Sequence, residues 1–329
     1  MRFRTLVFAM LFFFAFSAVR AAGLRAFDIP AGPAGPAIRG LVWHPCAESP
    51  QEIDARGGKT FFAVNDCPIM GDKLPLIVIS HGRRGWLGGH HDTAAALADA
   101  GFIVLAINHP GDTERDTSGT DSLAVLVERP ADIKRSIDYI LETWPDASRI
   151  DARRIGLYGF SFGGYTGLVV IGATPDLRKG LPDCQTSSLR ACKELEDNEI
   201  PTQPIVHDPR VKAAIIVDPY PEFFFSKENL KDVRIPVQLW SSDPAQNADN
   251  LSGCCAAAVA DRLPSSPEYI FVTDAKHFSF LALCTPKEKE QFAAICTDAP
   301  GFDRVAFHRF FHDKAIAFFK KHLGETATP

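Results

Sequence analysis

The run LPLIVIS, Leu74 to Ser80, is continuously apolar and rich in β-branched residues, with no polar residue on alternate positions. A strand with one wet face shows a period of two. A strand without one must be covered on both faces, as in a parallel sheet with helices above and below. Similar runs recur as FIVLAIN after Gly101, VKAAIIVD from Val211, IPVQLWSSD from Ile235 and EYIFVTDAKH from Glu268. Between and after them lie helical segments. HDTAAALADAG ends on a glycine, and ADIKRSIDYILETW carries Ile133, Ile137, Ile140 and Leu141 at helical spacing, with Pro130 placed for its first turn. DRVAFHRFFHDKAIAFFKKHL closes the chain as an amphipathic helix. The alternation predicts an α/β fold in one domain, a mostly parallel central sheet flanked by helices. Ahead of it, IRGLVW and TFFAVN read as two short antiparallel strands, and DIPAGPAGPAIRG as an irregular lead-in. The stretch from Thr174 to Arg210 is polar and proline-containing and interrupts a helix-to-strand connection, which predicts an inserted cap or lid segment over 174–210.

Composition narrows the class further. Of 329 residues 46% are hydrophobic and 23% charged, enough for a sizeable core, and a net charge of −5 without like-charge blocks speaks against a nucleic-acid partner. Arg2 and Arg4 precede an apolar run from Leu6 to Ala18, with small residues at Ala21 and Ala22. That run is too short for the ~20 residues of a membrane span and fits a signal peptide over 1–22. The expectation is an exported protein, periplasmic or secreted, with a mature domain over 23–329 and no stable span after cleavage. In an oxidising compartment the eight cysteines read as disulfide partners. Cys46 with Cys67, Cys184 with Cys192 and Cys284 with Cys296 are neighbours in sequence, while Cys254 and Cys255 remain.

Between RIGLY and YTGLVVIGA sits GFSFGG, which fits the G-x-S-x-G pattern at Gly159, Ser161 and Gly163. A turn from strand to helix exposes the serine hydroxyl at the sheet's carboxyl edge, and the glycines let the neighbouring chain pass. Ser161 is the candidate nucleophile. A serine needs a base, and His277 follows the last predicted strand, where its loop reaches back over the serine. His308, His312 and His322 fall on the final helix. The i, i+4 pair His308 and His312 has metal spacing but no H-E-x-x-H context, so it reads as a partly solvated helix face. His90 and His91 receive no role. The acid that orients the imidazole is Asp218 or Asp243, each at a strand end before proline, and the pattern of the residues leaves both open. The oxyanion donors are the N–H of Phe162 and, from the HGRRG loop, the N–H of Arg83. No cofactor and no metal are expected.

The segments LIVISHG, GFIVLAINHPG, IGLYGFSFGGYT, DPRVKAAIIVDP and AKHFSFL, in order from about Leu74 to the end, resemble the bacterial dienelactone-hydrolase-like esterases, themselves similar to the platelet-activating-factor acetylhydrolases. The resemblance implies an α/β-hydrolase fold and a metal-independent Ser-His-Asp mechanism. It points to Asp218 as the acid and to Arg83 as the second oxyanion donor. Ser161 departs from the cysteine of true dienelactone hydrolases. Phe160, Phe162 and Phe223 to Phe225 are candidates for an acyl pocket or for plain core. The expected function is an exported serine hydrolase that cleaves small or short-chain carboxylic esters through an acyl-enzyme, its partner a small-molecule ester. The alternatives are a serine peptidase or amidase, and a hydrolase-like binding protein without turnover.

Overall fold

The computed structural model describes residues 21–54, 59–179, 184, 190–247 and 254–324. Its strands are β1 (Ala21–Ile29), β2 (Ile38–Cys46), β3 (Gln51–Asp54), β4 (Thr60–Asn65), β5 (Leu74–Ser80), β6 (Ile103–Ile107), β7 (Ile150–Phe160), β8 (Val211–Val217), β9 (Val237–Ser241) and β10 (Glu268–Phe271). They join in one sheet of order β10-β9-β8-β7-β5-β6-β2-β1-β4-β3. From β10 to β6 every neighbouring pair is parallel. The runs of β5 to β9 thus occupy the middle, as their lack of alternation requires, whereas EYIFVTDAKH supplies β10, an edge strand that stays largely exposed because it has only β9 beside it.

Each central strand serves two cores at once. Leu76 and Val78 of β5, Ile155 and Leu157 of β7, and Ala214 and Ile216 of β8 face one apolar cluster. Their alternates Ile77, Ile79, Tyr158, Phe160, Ala213 and Ile215 face another. The first core is closed by α2 (Leu123–Glu142) and α3 (Phe162–Val170), and the second by α1 (His91–Asp99) and α9 (Arg304–Leu323). Smaller helices fill the connections: α4 (Arg190–Glu196), α5 (Lys227–Leu230), α6 (Cys254–Arg262), α7 (Pro286–Gln291) and α8 (Ala293–Cys296). At ~1.5–3 kcal/mol for each large apolar side chain removed from water, these two layers supply the main drive to fold.

Three local expectations are corrected. β2 and β4 do not pair with each other: β1 lies between them, antiparallel to β2 and parallel to β4. β1 takes up the start of the lead-in because its nine residues pair in continuous register with β2 and bury Leu24 and Phe27, a tertiary gain that the polar Arg25 and Asp28 conceal. Pro130 does not open a helix. Ser122 caps α2 upstream, accepting from the Val125 N–H, so Pro130 lies inside the helix and is buried there.

Cys46–Cys67, Cys184–Cys192 and Cys284–Cys296 stand at disulfide bonding distance. Cys254 and Cys255 begin α6. The expected signal peptide lies outside the described residues except for Ala21 and Ala22, which open β1. No described helix is long and apolar enough to cross a membrane. Within the expected insertion, residues 180–183 and 185–189 lie outside the described set. Its α4 packs back on the loop before α2: the Ala191 N–H donates to the Asp121 carbonyl (2.6 Å), and Glu194 accepts from the Leu123 N–H (2.6 Å).

Candidate active site

At the carboxyl edge of the sheet, β7 turns into α3 at Ser161, which adopts φ 55° and ψ −118°. A non-glycine residue held at positive φ costs on the order of 1–3 kcal/mol and persists only where its surroundings impose it. Here they do. The Ser161 N–H donates to the Val217 carbonyl (2.8 Å), and the Ser161 carbonyl accepts from the N–H groups of Gly164 (2.8 Å) and Tyr220 (3.1 Å). The flanking glycines are a steric necessity. A Cβ on Gly159 would lie 2.2 Å from the Gly163 carbonyl oxygen, and one on Gly163 would lie 1.9 Å from that of Ser80.

His277 stands in a short 3-10 turn, His277–Phe280, that follows β10. Its Nδ1 lies 3.0 Å from Asp218 Oδ2. The other Asp218 oxygen accepts from the Ser242 N–H at 2.8 Å, and the residue is 2% exposed. The His277 backbone N–H donates to Asn247 Oδ1 (2.8 Å), and the ring stacks on Phe160 with centroids 4.6 Å apart. Asp243 points elsewhere. Its Oδ1 accepts from the Ala245 N–H and its Oδ2 from the Asp274 N–H, so it fastens the turn after β9. The fold therefore brings Asp218 to His277 and gives Asp243 a cap.

Ser161, His277 and Asp218 line one cavity of about 400 Å³, together with Gly82, Arg83 and Phe162. Its wall also includes Leu126, Phe224 and Phe278, whereas Phe225 packs in the core. The N–H of Phe162 is the first of α3 and has no intrahelical acceptor, as at any helix start. The Arg83 side chain makes a two-pronged ion pair with Asp121 at 2.5 and 2.6 Å. Arg84 reaches the same carboxylate at 3.5 Å, so two cations share one acid at the rim.

Beneath this loop lies a polar network that the sequence reading missed. Arg129, from the buried face of α2, donates to Asp112 Oδ2 (2.6 Å), to Thr166 Oγ1 (3.1 Å), to Ser80 Oγ (3.3 Å) and to the His81 carbonyl. Asp112 Oδ1 in turn accepts from the Arg84 N–H (3.1 Å). Arg83 is thus held by its neighbours on both sides, and the buried ion pair needs these extra hydrogen bonds to offset its desolvation. His109 connects Ser80 (2.9 Å) to Asp132 (3.2 Å). Burial, aided by the Arg129 charge, pushes the His81 imidazole down to about 3, so it stays neutral there. A lone arginine on an apolar helix stripe was the available signal, but its partners stand 17 to 49 residues away in sequence.

The remaining histidines do not line the cavity. His308 does not sit on a solvated helix face: it is 2% exposed, its Nε2 2.8 Å from the Ser279 carbonyl oxygen and its Nδ1 2.7 Å from Asp92. The cause is α1, which covers that side of α9. His312 is half-buried beside it. His90 is buried between Tyr158 and Phe160, His91 opens α1, and His322 packs on Phe318.

This sheet order, the strand–serine–helix turn, and Asp218 and His277 placed after β8 and β10 define an α/β-hydrolase fold. Solved structures that share it include two hydrolases. A ferulic acid esterase from Streptomyces cinnamoneus superposes with a TM-score of 0.63 at 19% identity, over 96% of this chain and 93% of that one. A dienelactone hydrolase from Anabaena variabilis superposes with a TM-score of 0.52 at 14% identity, over 92% and 99%. Among curated sequences, a "Probable 2-oxo-3-(5-oxofuran-2-ylidene)propanoate lactonase" of Bradyrhizobium sp is 29% identical over 114 residues, 34% of this chain and 46% of that protein. The match thus spans under half the length of that relative. No family model matches the chain.

Proposed function

We propose that this protein is an exported serine hydrolase of small or short-chain carboxylic esters, with Ser161, His277 and Asp218 as its triad. The observation that carries the reading is the pairing of His277 Nδ1 with a buried Asp218 carboxylate in the same cavity as a serine at positive φ. In this reading Asp218 holds the Nδ1–H tautomer, leaving Nε2 free to take the Ser161 proton as Oγ attacks the ester carbonyl. The N–H groups of Phe162 and Arg83 receive the developing oxyanion, and Arg129 and Asp112 fix the Arg83 loop. The alkoxide leaves with a proton from His277. Water, activated by the same imidazole, then releases the acid from the acyl-enzyme.

Similarity to an esterase, a dienelactone hydrolase and a lactonase supports ester chemistry over peptide cleavage. A cavity of about 400 Å³ suits a small acyl group better than a long chain. The three cysteine pairs at bonding distance favour an oxidising compartment and therefore export. Purified protein is to be assayed on p-nitrophenyl acetate, butyrate and decanoate, on a peptide anilide, and with a fluorophosphonate label. Short esters should turn over fastest, and labelling should vanish in Ser161→Ala. Ester turnover that survives Ser161→Ala would reject the mechanism, and anilide cleavage exceeding ester cleavage would reject the class.

A further inference from the structure

Behind the active site, on the far side of the His277 turn, three ligand-type side chains converge. Asp92 comes from the first turn of α1, and His308 and His312 from successive turns of one face of α9. Each offers an oxygen or nitrogen, and these atoms lie within 4.8 Å of one another. His308 Nδ1 and Asp92 Oδ2 approach to 2.7 Å, yet neither atom makes a hydrogen bond of acceptable direction among the described residues. A proton shared by the two would lie along the line between them. Both atoms are therefore open to a third group placed between α1 and α9. The outer atoms of the cluster are already engaged: His308 Nε2 lies 2.8 Å from the Ser279 carbonyl oxygen and His312 Nε2 lies 3.1 Å from Thr93 Oγ1. An imidazole that binds a metal through one nitrogen usually donates its other N–H to just such a carbonyl, which fixes its tautomer and orientation.

We propose that Asp92, His308 and His312 form a binding site for a divalent transition-metal ion of the zinc type. Two imidazoles and a carboxylate are a ligand set that zinc accepts, with a fourth position left for water. Ligands at ~2.1 Å from a tetrahedral ion require the widest pair here to draw in by roughly an ångström, within reach of side-chain rotation. The site shares no residue with the active-site cavity, so its role is structural. Through Ser279 it fastens the His277 turn to α1 and α9, beside two further links: the His90 ring lies 3.2 Å from the Phe280 carbonyl, and the Ala282 N–H donates to that of Gly89.

The test uses the purified full chain, stripped with EDTA, then titrated with zinc chloride against a chromophoric chelator, with bound metal counted by mass spectrometry. The expected result is about one zinc per chain, a higher Tm with zinc than with EDTA, and slower amide exchange at Ser279 to Ala282 when zinc is present. Asp92→Asn and His312→Gln, both at half-buried positions and each checked for native circular dichroism, should lose the zinc and the Tm response. Substoichiometric binding by the wild-type chain, with a Tm indifferent to EDTA, would mean a buried Asp92–His308 ion pair only and would overturn the proposal. So would zinc retained in full by both variants.

Discussion

Asp218 and Asp243 are both aspartates at a strand end before proline, and what separates them is where their oxygens go. Asp218 gives one oxygen to His277 and one to the Ser242 N–H, while both oxygens of Asp243 are spent on backbone N–H groups, Ala245 in its own turn and Asp274 in the loop after β10. If the proposed triad is right, Asp218→Asn should lower kcat by ~10⁴-fold with the fold intact, because the imidazole loses its tautomer and its counter-charge. Asp243→Asn should change kcat by less than about tenfold and cost on the order of 1 kcal/mol of stability, as for a lost cap. One chromogenic ester and one urea titration per variant decide it; a crippled Asp243→Asn beside a healthy Asp218→Asn would reverse the assignment. Deeper in the network, burial pushes the Asp132 carboxyl up to about 7 against the opposing charges of Arg135 and Arg129. Unfolded, it titrates near ~3.9, so between these values the folded chain holds a proton that the unfolded chain has lost. Its contribution to stability is present at low pH and declines as pH rises toward 7. His81, near 3, and His90, near 4, work the other way: their contribution is present above ~6.5 and is lost as pH falls. Asp132→Asn isolates the first term and keeps an oxygen acceptor for His109. The urea midpoint of the wild type, relative to this variant, should fall between about pH 4.5 and pH 7.5; a constant difference would contradict a carboxyl titrating in that window.

Among the elements, β7 shows how closely the two layers meet. A Cβ on Gly156 would lie 2.7 Å from Phe319, 2.8 Å from Ile77 and 2.9 Å from Leu323, so the absence of a side chain is what lets α9 settle on the sheet. Gly156→Val should destabilise the fold by ~1–3 kcal/mol through overpacking, read as a lowered urea midpoint, whereas Gly101→Ala, with open space around its Cβ position, should show only backbone strain. The strands around Gly156 were legible in the sequence because burial on both faces leaves their central runs apolar, and the serine turn because its glycines are sterically required. β1 was not legible, since Arg25 and Asp28 break its pattern and its partner lies across a Pro/Gly stretch. Pro130 misled because a proline inside a helix is tolerated once Ser122 has capped the chain upstream. The choice between Asp218 and Asp243 was equally hidden. It depends on side-chain direction at the end of a strand, which no local pattern encodes.

Across the whole molecule, local and distant links divide the labour. The three cysteine pairs close loops of 21, 8 and 12 residues, so they stiffen neighbourhoods and leave the overall path of the chain free. The site works at the opposite range. Its histidine turn comes late in the chain and is fastened to the segment that opens α1; His90 and Phe280 are 190 residues apart. Closing so long a span carries a large entropic cost before any contact rewards it, which places it late in the order of assembly. Most helices, and the strands from β5 to β9, can form before that closure, so recovery of ester turnover after dilution from urea should lag behind recovery of far-UV ellipticity. Simultaneous recovery would show that the turn docks early. If the proposed triad and the late docking both hold, a chain still emerging from the ribosome carries its serine turn long before it carries a working base, and chemistry begins only once the last third of the protein has docked onto the first.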